Sequence, residues 1–303
     1  MANWYFRNRQ SGLVACPGCR NLVKAGIEFC PYCARRLGAE KGFRGKVKKL
    51  LTRDVIATRV IIGAIVVFFV IQFVVDQFIP PQYTSGQRGG FMFFLSSQPI
   101  TAILLGSNYH PFVYYHSQIW RFVTSIFLHF GLIHILFNCW AFWDLGRLAE
   151  KFWGAKQVFA AFILSGAAGS AASFLWKTMV MGQPVNSAGA SGAVCGILGL
   201  LLGAYYKDRR HIGEYLGAQL IRWAVMLLIF GLVAGADNGA HVGGFLAGAV
   251  MGFFLPPTTT SRQPARDRRI WDILAIVSLV VVIVAFVFGF VFALQGFAHV
   301  VTL

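Results

Sequence analysis

Residues 189–207 read GASGAVCGILGLLLGAYYK, an apolar run opened by Ser191, closed by Lys207 and marked by Gly192, Gly196, Gly199 and Gly203. Glycines three or four residues apart share one helix face, and in a membrane such a face lets a neighbouring backbone approach closely. A second run, 240–256, repeats the device with Gly244, Gly248 and Gly252 behind Ala240-His241. The two runs predict a pair of helices in tight contact, one beginning at a serine and the other beside a histidine. Glycine faces alone are ordinary membrane-helix packing; the serine and histidine add the chemistry.

Outward from this pair, apolar runs recur at 60–80, 131–148, 157–178, 219–235 and 270–293. About 20 apolar residues cross a hydrocarbon core of ~30 Å, so the chain reads as an all-α polytopic membrane protein with seven spans. Composition agrees, with 57% hydrophobic and 13% charged residues. The stretch 1–59 is polar and basic, which predicts no cleavable signal peptide before the first span.

The net charge of +16 is explained by where it sits. Nine basic residues from Arg35 to Arg59 precede the first span, three (Arg147, Lys151, Lys156) surround the end of the second, four fall between Lys207 and Arg222, and four between Arg262 and Arg269. The opposite side holds only Arg88, Arg121 and Lys177. The positive-inside rule therefore puts the N-terminus in the cytoplasm and the C-terminus outside, in a multi-pass cell-membrane protein. Attraction to anionic lipid heads accounts for the remaining excess, so the expected partner is the bilayer and no nucleic acid.

Residues 1–37 contain Cys16-Pro-Gly-Cys19 and Cys30-Pro-Tyr-Cys33. Two such pairs turn four thiolates toward one ion at ~2.3 Å and close a tetrahedral site, which predicts a cytoplasmic zinc ribbon with a structural zinc. In a reducing cytoplasm two disulfides are the weaker reading, and so small a segment folds only with its metal. Residues 38–57 form a basic linker, amphipathic enough to rest on the inner membrane surface. A six-helix core at 58–257, a basic loop at 258–269 and the seventh span with its outer tail at 270–303 complete the division. The stretch 81–121 is rich in aromatic residues and reads as a folded outer loop in the interface.

Polar side chains inside apolar spans need a partner or a purpose. Counting ~1.5 Å per residue from the inner end of each span puts Ser191 at about 24 Å, His241 at about 22 Å, His134 at about 20 Å and Asn138 at about 14 Å. Ser191, His241 and His134 thus share one level below the outer surface. A serine and a histidine at one depth suit nucleophile and general base. No carboxylate is expected at that level, since Asp144 lies near the inner end of its helix.

These residues resemble the rhomboid family of intramembrane proteases. Gly189-Ala190-Ser191-Gly192 is similar to its serine motif, Ala240-His241 with Gly244 and Gly248 to its histidine motif, and His134 with Asn138 to its second-helix pair. Trp120-Arg121 resembles the signature of its first outer loop, and Glu150 with Gly154 the element closing the second helix. The resemblance runs over about 120–252, five motifs in the family's order.

The resemblance implies a six-helix rhomboid core and a serine endopeptidase acting on transmembrane protein substrates. Ser191 would attack the peptide carbonyl and His241 would move its proton. His134, Asn138 and the Ser191 backbone N–H would stabilise the oxyanion, and no cofactor would take part in catalysis. One position departs: where the family often has an aromatic residue against the catalytic histidine, this chain has Cys195. The seventh span and the ribbon stand outside the core, and the chemistry needs neither. The alternative is an inactive rhomboid-like protein that binds membrane helices, a class that typically lacks the serine or histidine.

Overall fold

The computed structural model describes residues 13–16, 18–19, 21–24, 27, 30–33, 55–80, 98–182, 186–207, 214–233, 237–255, 257 and 265–301. Residues 38–54 of the expected linker at 38–57, much of the expected loop at 81–121, most of the basic loop after 257 and the terminal Leu303 lie outside them. The chain divides into two compact units, Met1–Arg53 and Asp54–Leu303.

In the first unit, strands β1 (Leu13–Ala15) and β2 (Leu22–Lys24) pair antiparallel, Val14 opposite Val23. Among the described residues of this unit, buried Val23, Cys16 and Cys30 form a small core. Apolar burial on this scale cannot offset chain entropy without a further tie.

The second unit is helical. Its elements are α1 (Ile56–Asp76), α2 (Pro99–Leu104), β3 (Asn108–Tyr109), α3 (His110–His116), α4 (Arg121–Thr124), a 3-10 turn at Ser125–Phe127, α5 (Leu132–Trp153), α6 (Ala155–Leu175), a π-helical turn at Trp176–Met181, β4 (Asn186–Ser187), α7 (Ser191–Lys207), α8 (Glu214–Val233), α9 (Asn238–Phe254) and α10 (Ala265–Val301). Among the described residues the long helices α1 and α5 to α10 overlap the seven expected apolar runs, and the chain is a membrane protein. Ile56–Asp76, Ala155–Met181 and Arg266–Gly296 are long and apolar enough to cross a bilayer, and Ser191–Lys207 is a shorter apolar helix. Helix α5 is less apolar, its C-terminal half carrying Asp144, Arg147, Glu150 and Lys151.

Helix α10 begins before the expected start at 270. Arg266, Asp267, Arg268 and Arg269 extend it toward water, because charged residues end an apolar run without ending a helix. Asp272 there pairs with Lys156 of α6 at 3.3 Å.

Helix α7 is the hub. It packs against α5, α6, α8 and most extensively α9, and Gly192 to Leu201 are all buried. The α7–α9 contact is backbone on backbone: a Cβ on Gly244, Gly248 or Gly252 would collide with the carbonyl oxygen of Gly192, Gly196 or Leu200 respectively. Gly199 and Gly203 meet Phe245 and Ala249 in the same way. The expected close approach is present, and it brings the N-terminal ends of both helices together.

Candidate active site

Ser191 is the first residue of α7, where the leading backbone N–H groups have no partner inside the helix and the dipole favours negative charge. His241 lies in the first turn of α9, capped by Asp237, whose side chain accepts from the Ala240 N–H at 3.3 Å. Close packing of the two helices leaves Ser191 Oγ and His241 Nε2 2.7 Å apart. Both residues are partly exposed, so the pair is reachable.

The loop before Ser191 is held from several sides. Gly189 donates its N–H to the Ser125 carbonyl at 2.9 Å, and Ala190 donates to His129 Nε2 at 3.3 Å. β4 pairs with β3, Asn108 opposite Ser187, and the Ser107 hydroxyl donates to Asn186 Oδ1 at 2.5 Å. Gly189 sits at φ +136°, a conformation that favours glycine.

His134 of α5 is packed against that loop: a Cβ on Gly189 would lie 2.7 Å from its Cε1 and 2.8 Å from its Nε2. Asn138 is buried, and its side-chain amide donates to the His134 carbonyl at 2.9 Å. The structure thus brings His134 to the loop before Ser191, with Asn138 one turn below it. Among the described residues no hydrogen bond joins Asn138 to Ser191.

His129 was absent from the sequence expectations. It is fully buried, its ring centroid is 5.0 Å from that of His134, and its backbone N–H donates to Gln72 Oε1 of α1 at 3.2 Å. A second histidine five residues before His134 was the available signal.

No carboxylate bonds His241 among the described residues. Asp237, at the N-cap of α9, accepts from the Ser173 hydroxyl and pairs with Lys177 at 3.1 Å. Burial alone would raise its pKa, but the Ser173 and Ser187 hydroxyls and the Lys177 ammonium outweigh it and hold the carboxyl below its ordinary value. The signal for Asp237 was an N-cap residue type just before an apolar run.

Cys195 is buried in the core. Helix α8 instead closes on the imidazole, where a Cβ on Gly231 would lie 3.2 Å from His241 Nδ1 and 3.1 Å from Asn238 Oδ1.

In the first unit the Sγ atoms of Cys16, Cys19, Cys30 and Cys33 all lie within 4.8 Å of one another. Cys16–Cys33 and Cys19–Cys30 are each 3.6 Å apart. Thiolates ~2.3 Å from a tetrahedral ion stand roughly 3.8 Å apart, whereas a disulfide needs about 2.05 Å. The set therefore fits a four-cysteine metal site. The Gly18 backbone N–H donates to Cys16 Sγ at 3.3 Å, a contact that suits a thiolate ligand.

Residues 116–258 match the family model of the rhomboid domain. The chain is 33% identical over 164 residues to rhomboid protease GluP of Bacillus subtilis (strain 168), covering 52% of this chain and 31% of that protein. It is 36% identical over 138 residues to RHOMBOID-like protein 5 of Arabidopsis thaliana, covering 45% and 44%. It is 34% identical over 141 residues to rhomboid protease GlpG of Yersinia pseudotuberculosis serotype I (strain IP32953), covering 45% and 48%. Of these relatives' own lengths the chain thus spans less than half.

Proposed function

The chain carries a rhomboid domain over residues 116–258, and from that premise we propose that it is an intramembrane serine endopeptidase cutting transmembrane protein substrates in the bilayer. The observation that carries the reading is the 2.7 Å contact between Ser191 Oγ and His241 Nε2 at the mouth of two membrane helices. Ser191 Oγ attacks the carbonyl carbon of the scissile peptide while His241 Nε2 takes its proton. Negative charge on the carbonyl oxygen is met by the Ser191 backbone N–H at the α7 N-terminus, with His134 and Asn138 as further donors. His241 then gives the proton to the departing amine nitrogen. Water, deprotonated by His241, cleaves the acyl-serine ester and restores the hydroxyl.

Cys16, Cys19, Cys30 and Cys33 hold one structural zinc, which takes no part in this chemistry. The placement of basic residues supports a cytoplasmic N-terminus and an outer C-terminus.

The test is purified protein in bilayers with a panel of single-span membrane proteins, beside Ser191→Ala, His241→Ala and the double variant. Each variant should abolish cleavage, and the double should lose no more than either single, because nucleophile and base act as one unit. Asn138→Ala should keep measurable activity, lowered roughly 10²–10³-fold, as one of several oxyanion donors. Binding of substrates without cleavage by the unmodified protein would establish the helix-binding alternative. Cleavage by a folded Ser191→Ala protein would overturn the assignment of the nucleophile.

A further inference from the structure

Helix α10 lays one face against the outer segment that carries Trp120 and Arg121. Phe286 stacks on Phe68 of α1 with centroids 4.5 Å apart and meets Phe127 edge-on at 5.4 Å. At Gly289 the helix passes directly over the neighbouring side chains: a Cβ there would touch the Trp120 ring at 3.4 Å and the Thr124 methyl at 3.5 Å, and a larger side chain would have to displace them. Phe292 lies under the Arg121 guanidinium at 4.8 Å and edge-on to Phe112 at 5.4 Å.

Arg121 is fully buried. Its Nη1 donates to the Ile103 and Ser107 carbonyls at 2.9 and 2.8 Å, and its Nε to Gln118 Oε1 at 2.7 Å. Nη2 has no hydrogen-bond partner among the described residues. A buried cation is costly unless compensated, and no carboxylate bonds this one among the described residues. Three aromatic faces do the compensating, Trp120 at 4.7 Å, Phe292 at 4.8 Å and Phe112 at 4.9 Å. One of the three belongs to α10.

The segment that Arg121 ties together is the seat of the Ser191 loop. Ser107 holds Asn186, Asn108 pairs with Ser187, the Ser125 carbonyl takes the Gly189 N–H and His129 takes the Ala190 N–H. The path from Phe292 to the Ser191 amide thus runs through direct contacts only.

We propose that α10, through Phe292 and Gly289, is a positioning element for the Ser191 site. It holds the Arg121 segment, and that segment holds residues 186–190 so that the Ser191 N–H and Oγ face the reacting carbonyl. The helix touches no reacting atom. Its effect on rate rests on the proteolytic reading; its effect on the order of the loop does not.

The test uses the full chain in bilayers with Phe292→Leu, which keeps apolar volume and removes the ring face, Phe292→Tyr, which restores the ring, and Gly289→Leu, which displaces Trp120. Amide hydrogen exchange over 103–109 and 186–191 is read beside the rate of Ser191 modification by a fluorophosphonate and the kcat and KM for a cleaved substrate. Phe292→Leu and Gly289→Leu should speed exchange at Gly189 and Ala190 and lower kcat, each by about tenfold, with KM nearly unchanged, as loss of a desolvated cation–π face implies. Phe292→Tyr should match the unmodified protein. Faster exchange at 103–109 without any change at 186–191, or no change in either, overturns the proposal. If the unmodified protein neither reacts with fluorophosphonate nor cleaves, the proteolytic reading has failed, and exchange at 186–191 still decides this one.

Discussion

His134 stands where a side chain on Gly189 would be, with the ring's Cε1 and Nε2 2.7 and 2.8 Å from the position of a Cβ. Gly189 is also held at φ +136°, so the loop before Ser191 excludes other residues on two independent grounds. Gly189→Ala should therefore lower Ser191 reactivity toward fluorophosphonate by at least roughly 10²-fold, the scale of losing one oxyanion donor. Adding His134→Ala removes the collision and leaves the backbone strain, so the double variant should not recover. Full reactivity of the single variant in a folded protein would show that the loop adapts.

Glu150 of α5 is a buried carboxylate that caps α1 from another helix. It accepts from Ala57 N at 2.9 Å, Thr58 N at 3.0 Å and the Thr58 hydroxyl at 2.7 Å, where α1 has no side-chain cap of its own. Glu150→Ala should cost about 1–3 kcal/mol or more, because it orphans three buried donors. Thr58→Val removes one of them and should cost less, and the two losses should not add, since they share partners. Unfolding midpoints of the three variants in detergent decide this; a midpoint unchanged by Glu150→Ala would refute it.

His110 opens the short helix α3, buried edge-on against Phe174 at 5.5 Å. Burial, helped by repulsion from Lys177 and opposed by Asp237, lowers its pKa from the ordinary 6.5 to about 4. The unfolded chain therefore binds more protons between those values. The corresponding stability is complete above pH 6.5 and lost as pH falls toward 4, by up to about 3 kcal/mol. Unfolding midpoints measured from pH 7 to 4 should fall more steeply for the unmodified protein than for His110→Phe. Parallel slopes would assign the pH dependence to other groups.

The four cysteines should hold one zinc per chain, and Cys16→Ser or Cys33→Ser should lose it, as elemental analysis will read. Chelation should unfold the ribbon, since its small core cannot persist alone, and leave proteolysis by the second unit largely intact. Zinc retained by the cysteine variants, or cleavage abolished by the chelator, would contradict this division.

Much of the site was legible in advance for a local reason. Helix period and rise place Ser191, His241 and His134 at one depth from residue counts alone, and glycine spacing marks the faces on which α7 and α9 meet. His129 and Asp237 were missed because each lies outside an apolar run, where no period assigns a direction to the side chain. The start of α10 was misplaced because a helix that passes into water no longer announces itself by apolarity.

By itself the sequence determined the apolar runs, the close-packing faces and the paired cysteines, because each depends on spacing within one element. Only the tertiary structure decided that Glu150 caps a helix more than ninety residues away and that Phe292 of α10 covers Arg121 at the start of α4. Such pairs depend on how each helix is rotated and how deeply it is seated against its neighbours. That is set by the simultaneous packing of all the helices, and a side-chain pattern along one of them does not contain it.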